Sequence, residues 1–308
     1  MVIFSQDKNS LKEINQSQFK LEKDIQNITE KNLKDVFGLE FVKSEFQLNN
    51  LRIDTLAFDK LTNSFVIIEY KKDKNFSVID QGYAYLALLL NNKADFILEY
   101  NENKNTRLSR NDIEWSQSRV IFISSQYTEY QKQAINFKDL PIEIWEIKKY
   151  ENDIIVFNQI KPHKTSESIT KIAKVDGAVQ KVAQEIKTFT EDSHLEKASD
   201  EIKELYEKIK QEVLDIDSSF IFNPRKYYIS IKRNKNLAFI EFRKKKINII
   251  IPVSYERGRK LIKHHKIRKP AESVQKFWFS VPCFEVSLEN DENLYEVINL
   301  IKEASKTI

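Results

Sequence analysis

The chain has 308 residues, 41% hydrophobic and 31% charged, with one Cys and a formal net charge of +4. That length allows two domains, and the balance excludes disordered and fibrous classes. The lone Cys283 cannot form an internal disulfide and argues against a cysteine-based metal site. No apolar run is long enough to span a membrane and residues 1–8 lack a secretory pattern, so a cytoplasmic protein with no membrane partner is expected.

From Leu21 to Phe37, Leu21, Ile25, Ile28, Leu33, Val36 and Phe37 fall on one helical arc, with Glu30 at its edge. Gly38 follows where a left-handed C-terminal glycine belongs. Residues 41–46, 51–58 and 64–71 are predicted strands, the last two forming a hairpin. The run Ser77-Val78-Ile79-Asp80 has the capping-box pattern and opens a helix to about Leu90. Gln81 and Tyr85 lie four apart on one face of it. Short apolar segments at 94–100, 119–124, 142–147 and 153–160 read as further strands. Alternation of strands and helices predicts an α/β domain over 1–160 with a mixed sheet flanked by helices.

Residues 161–193 are polar and read as a partly helical linker, with Val175, Val179, Val182 and Ile186 at helical spacing. A C-terminal α+β domain is predicted over 194–308. It opens with an amphipathic helix carrying Leu195, Ala198, Ile202, Leu205, Ile209 and Val213. Strands follow at 226–232, 237–242 and 247–253. An edge or broken strand carrying Pro282 covers 277–286, and a closing helix covers 292–303.

The hairpin concentrates the chemistry. Side chains alternate along a strand, so Glu69 and Lys71 share a face and Tyr70 points the other way. With the turn at Leu61–Ser64, Asp54 meets Glu69 across the hairpin. Two carboxylates at the end of a buried strand are costly to desolvate, and a divalent cation would compensate them. A lone Glu-x-Lys is more often a strand-end ion pair; the weight comes from the whole set. Asp54 followed by Glu69-Tyr70-Lys71 resembles the core motif of the PD-(D/E)xK nuclease superfamily, the restriction endonuclease-like and RecB-like enzymes. Gln81 and Tyr85 match the Gln-x-x-x-Tyr motif of the RecB-like branch, and Glu30 matches its helix acid. Ile53 stands where the family usually has Pro.

The resemblance covers roughly residues 20–160. It implies a restriction-endonuclease-like mixed sheet and a Mg²⁺-dependent deoxyribonuclease, with Mn²⁺ as a substitute, in a restriction, repair or phage-defence role. Asp54, Glu69 and the Tyr70 carbonyl would hold the metal. Lys71 would orient water or neutralise developing charge, and Gln81 and Tyr85 would position the phosphate or the lysine.

Charge is divided unevenly. Residues 220–280 hold 17 Lys+Arg against 3 Asp+Glu, whereas the remainder holds 33 against 43. Such asymmetry points to a polyanionic partner. Arg243, Lys244, Lys245 and Lys246, and then Arg257, Arg259, Lys260, Lys263, Lys266, Arg268 and Lys269, are the candidate nucleic-acid contacts, with DNA the expected partner. Tyr227, Tyr228, Tyr255, Phe277 and Trp278 are interleaved and read first as core. This half resembles a bacterial domain labelled "predicted transport protein", a role that no apolar span supports. A non-catalytic nucleic-acid binder on a nuclease scaffold and an adaptor for an acidic partner are the alternatives. A homodimer would suit the cutting of two strands.

Overall fold

The computed structural model describes residues 2–72, 77–137, 140–162, 182–233, 235–278 and 282–306. The chain divides into two compact units, Met1–Asp59 with Asn63–Thr188, and Lys60–Thr62 with Phe189–Ile308.

A hairpin of β1 (Ile3–Asp7) and β2 (Ser10–Ile14) opens the first unit. Its body is a seven-stranded mixed sheet of β3 (Gln16–Ser17), β4 (Glu40–Leu48), β5 (Leu51–Asp59), β6 (Ser64–Lys71), β7 (Arg119–Ser124), β8 (Ile142–Tyr150) and β9 (Ile155–Ile160). The order is β3-β8-β7-β6-β5-β4, with β9 also on β8. β4, β5 and β6 are antiparallel neighbours, while β6, β7 and β8 run parallel. Parallel neighbours need long crossovers. α3 (Val78–Asn91) and α4 (Lys93–Lys104) lie in the first, and α5 (Glu129–Ala134) in the second.

β6 and β7 are near-continuous β-branched and aromatic runs, as strands covered on both faces require. Phe65 and Ile67 join the core under α3 and α4. Val66, Ile68 and Tyr70 join the core under α1 (Glu22–Lys31) and α2 (Leu33–Phe37). This alternation decides which helix each residue at the end of β6 can meet.

The single helix predicted over 21–37 is two, divided at Asn32, whose φ of −123° is not helical. Gly38 closes the second at φ 71°, in the left-handed region that favours glycine. The strand predicted at 94–100 is part of α4. Phe96 and Tyr100 are its buried residues, and their four-residue spacing is helical. The hairpin β1–β2 and strand β3 were not predicted, because their residues are largely polar. Residues 182–185 are helical, and Val182 and Ile186 are buried in the first unit's core. Val175 and Val179 lie outside the described residues.

The second unit carries a six-stranded antiparallel sheet, ordered β10-β11-β12-β13-β15-β14. The strands are β10 (Ile221–Pro224), β11 (Ile229–Lys232), β12 (Asn236–Arg243), β13 (Lys246–Ile251), β14 (Lys266–Arg268) and β15 (Phe284–Leu288). α6 (Glu191–Leu195) precedes α7 (Asp200–Ile216). α8 (Tyr255–Leu261) and α9 (Glu272–Trp278) flank β14, and α10 (Leu294–Ser305) closes the unit. Ile202, Leu205, Ile209 and Val213 of α7 and Val297, Leu300 and Ile301 of α10 form one core with Ile240, Ile249 and Val286 of the sheet.

The predicted strand at 226–232 starts only at Ile229, and β10 was missed before it. Residues 277–286 divide between the end of α9 and β15, so Pro282 precedes a strand rather than interrupting one. The fold is a mixed α/β unit flanked by helices, followed by an α+β unit with an antiparallel sheet.

Candidate active site

β5 stays paired with β4 as far as Leu51 opposite Leu48, but its pairing with β6 ends at Thr55 opposite Ile68. The strands part there, and Asp54 lies at the fork. Its Oδ2 accepts the Tyr70 backbone N–H at 3.1 Å, a donor that no longer has a strand opposite it. The N–H and C=O of one strand residue point to the same edge, so the Tyr70 carbonyl faces the same gap.

Glu69 continues the alternation of Phe65 and Ile67 and therefore faces α3. Its Oε1 accepts from Lys71 Nζ at 2.7 Å and from Gln81 Nε2 at 3.3 Å. Its Oε2 is buried without a hydrogen-bond partner among the described residues. Gln81 also donates to the Tyr85 hydroxyl at 3.4 Å, and that hydroxyl donates to the Arg52 carbonyl at 3.1 Å. α3 can supply both side chains because Ser77 caps its first turn and Gly82 lets it lie close to the sheet. The Ser77 hydroxyl accepts from the Asp80 N–H at 3.3 Å. A Cβ on Gly82 would stand 2.3 Å from Cδ1 of Ile142.

The electrostatics are strained. Asp54 and Glu69 are 7% and 4% exposed. Burial first, then the charge of Glu69, pushes the Asp54 carboxyl up to about 6. Lys71 pulls in the opposite direction and does not cancel them. Burial and the Glu69 charge likewise hold the Tyr85 hydroxyl far above its ordinary value.

Asp54, Glu69, Lys71, Gln81 and Tyr85 are thus brought together. Glu30 is not joined to them directly. Its Oε1 accepts from Thr55 Oγ1 at 2.6 Å and from Gln26 Nε2 at 3.0 Å, on the α1 face of the sheet. Thr55 in turn meets the Tyr70 hydroxyl at 3.1 Å. Gln26 donates to the Asp54 backbone carbonyl at 2.9 Å, so Glu30 buttresses the fork from behind. Gln26 was missed in the sequence, although its four-residue spacing from Glu30 on one helix was a readable signal. Glu22 was missed too. It accepts from the Lys72 N–H at 2.8 Å, and its charge adds to those that raise Asp54. An acid in a helix's first turn looks like a dipole complement, so no signal set it apart.

Among the described residues no three His, Cys, Asp or Glu side chains group as a metal cluster. Two carboxylates and a carbonyl still suit Mg²⁺, which keeps several waters and is commonly held by one or two carboxylates. The orphaned Glu69 Oε2 and the raised Asp54 are what such an ion would relieve.

The basic residues of the second unit fall at two places. Arg243 and Lys246 face each other across the β12–β13 turn, with Lys244 and Lys245 in the turn itself. Arg257, Arg259 and Lys260 ride on α8, and Lys266 and Arg268 on β14. Lys263 and Lys269 are exposed beside these elements. The acid-free run 257–269 acquires carboxylates from elsewhere. Arg257 pairs with Glu303 at 2.9 Å, Arg268 pairs with Glu285, and Glu296 accepts the Lys263 and His264 N–H groups. Tyr228 is core, as read, whereas Tyr227 is exposed. Among the described residues no helix is long and apolar enough to cross a membrane.

Fold and site define a two-unit α/β and α+β protein with a buried carboxylate pair at a strand fork. Residues 191–308 match the family described as "Domain of unknown function (DUF5655)". An "Uncharacterized protein" of Haemophilus influenzae (strain Rd) is 43% identical over 306 residues, covering 99% of this chain and 100% of that protein. The chain belongs to the family of that protein. Among solved structures, a repair endonuclease from Pyrococcus abyssi is similar at a TM-score of 0.23 and 16% identity, over 39% of this chain and 45% of that one.

Proposed function

We propose that the protein is a metal-dependent nuclease that hydrolyses phosphodiester bonds, with DNA as substrate and Asp54, Glu69 and Lys71 as its centre. The restriction-endonuclease-like reading of the sequence and the local geometry agree on this set. One observation carries the reading. Two buried carboxylates converge at a strand fork, and one oxygen of Glu69 has no hydrogen-bond partner among the described residues. A protein gains nothing in stability from such an arrangement, so a ligand of opposite charge is the natural reason for it.

Asp54, Glu69 and the Tyr70 carbonyl would hold Mg²⁺ or Mn²⁺. An ion held there would supply positive charge to the scissile phosphate and would lower the pKa of the attacking water. Lys71, tethered to Glu69, offsets charge that develops on the phosphate. Gln81 fixes the other side of Glu69, and Tyr85 fixes Gln81. Glu30 and Gln26 hold the β5 backbone in register behind Asp54. The basic second unit would draw the polyanion to the protein, in a restriction, repair or defence setting.

The test is incubation with plasmid, linear and single-stranded DNA in Mg²⁺, Mn²⁺ or EDTA. Cleavage is expected with either ion and none in EDTA. Asp54→Ala, Glu69→Ala and Lys71→Ala should each lower the rate by about 100-fold or more while circular dichroism stays unchanged. Undiminished cleavage in these folded variants would overturn the assignment. Retention of DNA without cleavage by the wild type would favour a binding protein instead.

A further inference from the structure

A second site lies on the sheet face of the second unit that is turned away from α7 and α10. Ile247, Ile249, Phe284 and Val286 point into the core. The alternate residues point the other way: Phe239, Ile250 and Cys283 join a small apolar cluster with Tyr228, and beside it lies a polar stretch. Glu241 stands opposite Asn248, Asn248 opposite Ser287, and Ser287 opposite Lys266, a row across four strands. Arg243 with Lys246, and Arg268 with Glu285, flank that row. Together they line a cavity of about 430 Å³, within the range of small-ligand sites.

The floor residues are largely buried and polar. Asn248 and Glu285 are 6% and 7% exposed. The Asn248 Oδ1 accepts from Ser287 Oγ at 2.8 Å, but its Nδ2 has no partner among the described residues. That nitrogen is open to solvent, and so to a ligand in the cavity that Asn248 lines. Glu241 is pushed up by burial, against the pull of Arg243, with the charge of Glu285 adding to it, which favours a carboxyl that can donate as well as accept a hydrogen bond. Around the rim, Arg268 is committed to Glu285, and Arg243 lies 3.6 Å from Glu241. Lys246 and Lys266 have no carboxylate partner among the described residues and leave the lining with surplus positive charge.

A fitting ligand carries anionic oxygens at one end and a ring edge with N–H donors and acceptors at the other. An inorganic anion would leave the carboxylates and the amide unused, and an apolar ligand would leave everything unused. We propose that this cavity binds a nucleotide unit, its phosphate at Lys246 and Lys266 and the edge of an amino-bearing base on Asn248, Glu241 and Glu285. The unit is either a free nucleotide or one nucleotide of a strand. The site shares no residue with the Asp54 fork and stands whether or not that fork cuts nucleic acid.

Calorimetric titration of the full-length protein in EDTA and low salt tests this, with AMP, dCMP, dTMP, inorganic phosphate and a short single-stranded oligonucleotide as probes. One site per chain is expected. AMP and dCMP should bind about tenfold or more tighter than inorganic phosphate, and dTMP should be the weakest nucleotide. Lys246→Gln and Lys266→Gln each remove one charge-assisted hydrogen bond from an accessible side chain and should weaken binding about tenfold. Asn248→Ala should erase the preference for a base over bare phosphate. Equal affinity of mononucleotide and oligonucleotide identifies the free nucleotide as ligand; binding of the oligonucleotide alone, weakened by the same substitutions, identifies a strand. The proposal fails if no nucleotide or oligonucleotide binds saturably. It also fails if the Lys246→Gln/Lys266→Gln double variant, folded by circular dichroism, binds as the wild type does, or if inorganic phosphate binds as tightly as whichever nucleotide or oligonucleotide binds.

Discussion

At the scale of single residues, Asp54 is where function and stability oppose each other. Its carboxyl sits at about 6 in the fold against 3.8 as an unperturbed side chain. Between those values the folded chain holds a proton that the unfolded chain has lost. Metal-free stability therefore falls as pH rises from about 4 to about 6 and then levels, a cost of up to about 3 kcal/mol at neutral pH. Asp54→Asn removes the charge and keeps an oxygen for the Tyr70 N–H. In EDTA at neutral pH this variant should melt above the wild type, by about 5 °C or more for a domain of this size. Added Mg²⁺ should raise the wild-type melting temperature and leave the variant's unchanged. A variant that melts below the wild type in EDTA would mean that the carboxylate is a structural hydrogen-bond acceptor and not a strained ligand. Asp54, Glu69, Lys71, Gln81 and Tyr85 were legible because each sits where strand or helix periodicity puts it. Glu30 was legible as part of the region but not in its orientation. Which face of the sheet a helix covers is a tertiary fact that its own periodicity does not contain.

At the scale of elements, the site depends on how closely α3 lies on the sheet. Gly82 sits between Gln81 and Tyr85, and its missing Cβ leaves room for Ile142. Gly82→Ala should force Ile142 from its rotamer or lift the helix, costing about 1–3 kcal/mol. Ile142→Val removes the Cδ1 that the new methyl meets at 2.3 Å and keeps the Cγ1 that it meets at 2.9 Å. The double variant Gly82→Ala/Ile142→Val should recover part of the loss that Gly82→Ala incurs, so that it is more stable than the sum of the single effects. Denaturant melts of the four proteins measure this, and strict additivity would refute the contact. The strand run 64–71 was legible because an unbroken β-branched and aromatic stretch suits only a doubly covered strand. The stretch 94–100 was not, since a short apolar run fits either period, and only burial of Phe96 and Tyr100 together selects the helix.

At the scale of the whole molecule, the uneven charge is real in sequence but changes meaning once folded. The run 257–269 contains no acid, yet Glu285, Glu296 and Glu303 come from later in the chain to meet it. Part of the surplus left over lies at Lys246 and Lys266, from strands that only the sheet order brings together. A linear count could show that region 220–280 is cationic. It could not show which cations are already spent, because the partners lie up to 46 residues away.

The fork between β5 and β6 has a kinetic corollary. Its five converging side chains all come from residues 54–85, and the β5–β6 hairpin closes through a short turn. Joining β6 to β7 instead spans the whole α3–α4 crossover. Because closing a long loop must be offset before distant contacts form, the hairpin amides should gain protection earlier than the β6–β7 pair during refolding. Pulse-labelled hydrogen exchange resolves that order; simultaneous protection would show that the sheet forms as one cooperative unit. If the order holds, a nascent chain would carry an assembled acidic fork before the sheet behind it is complete.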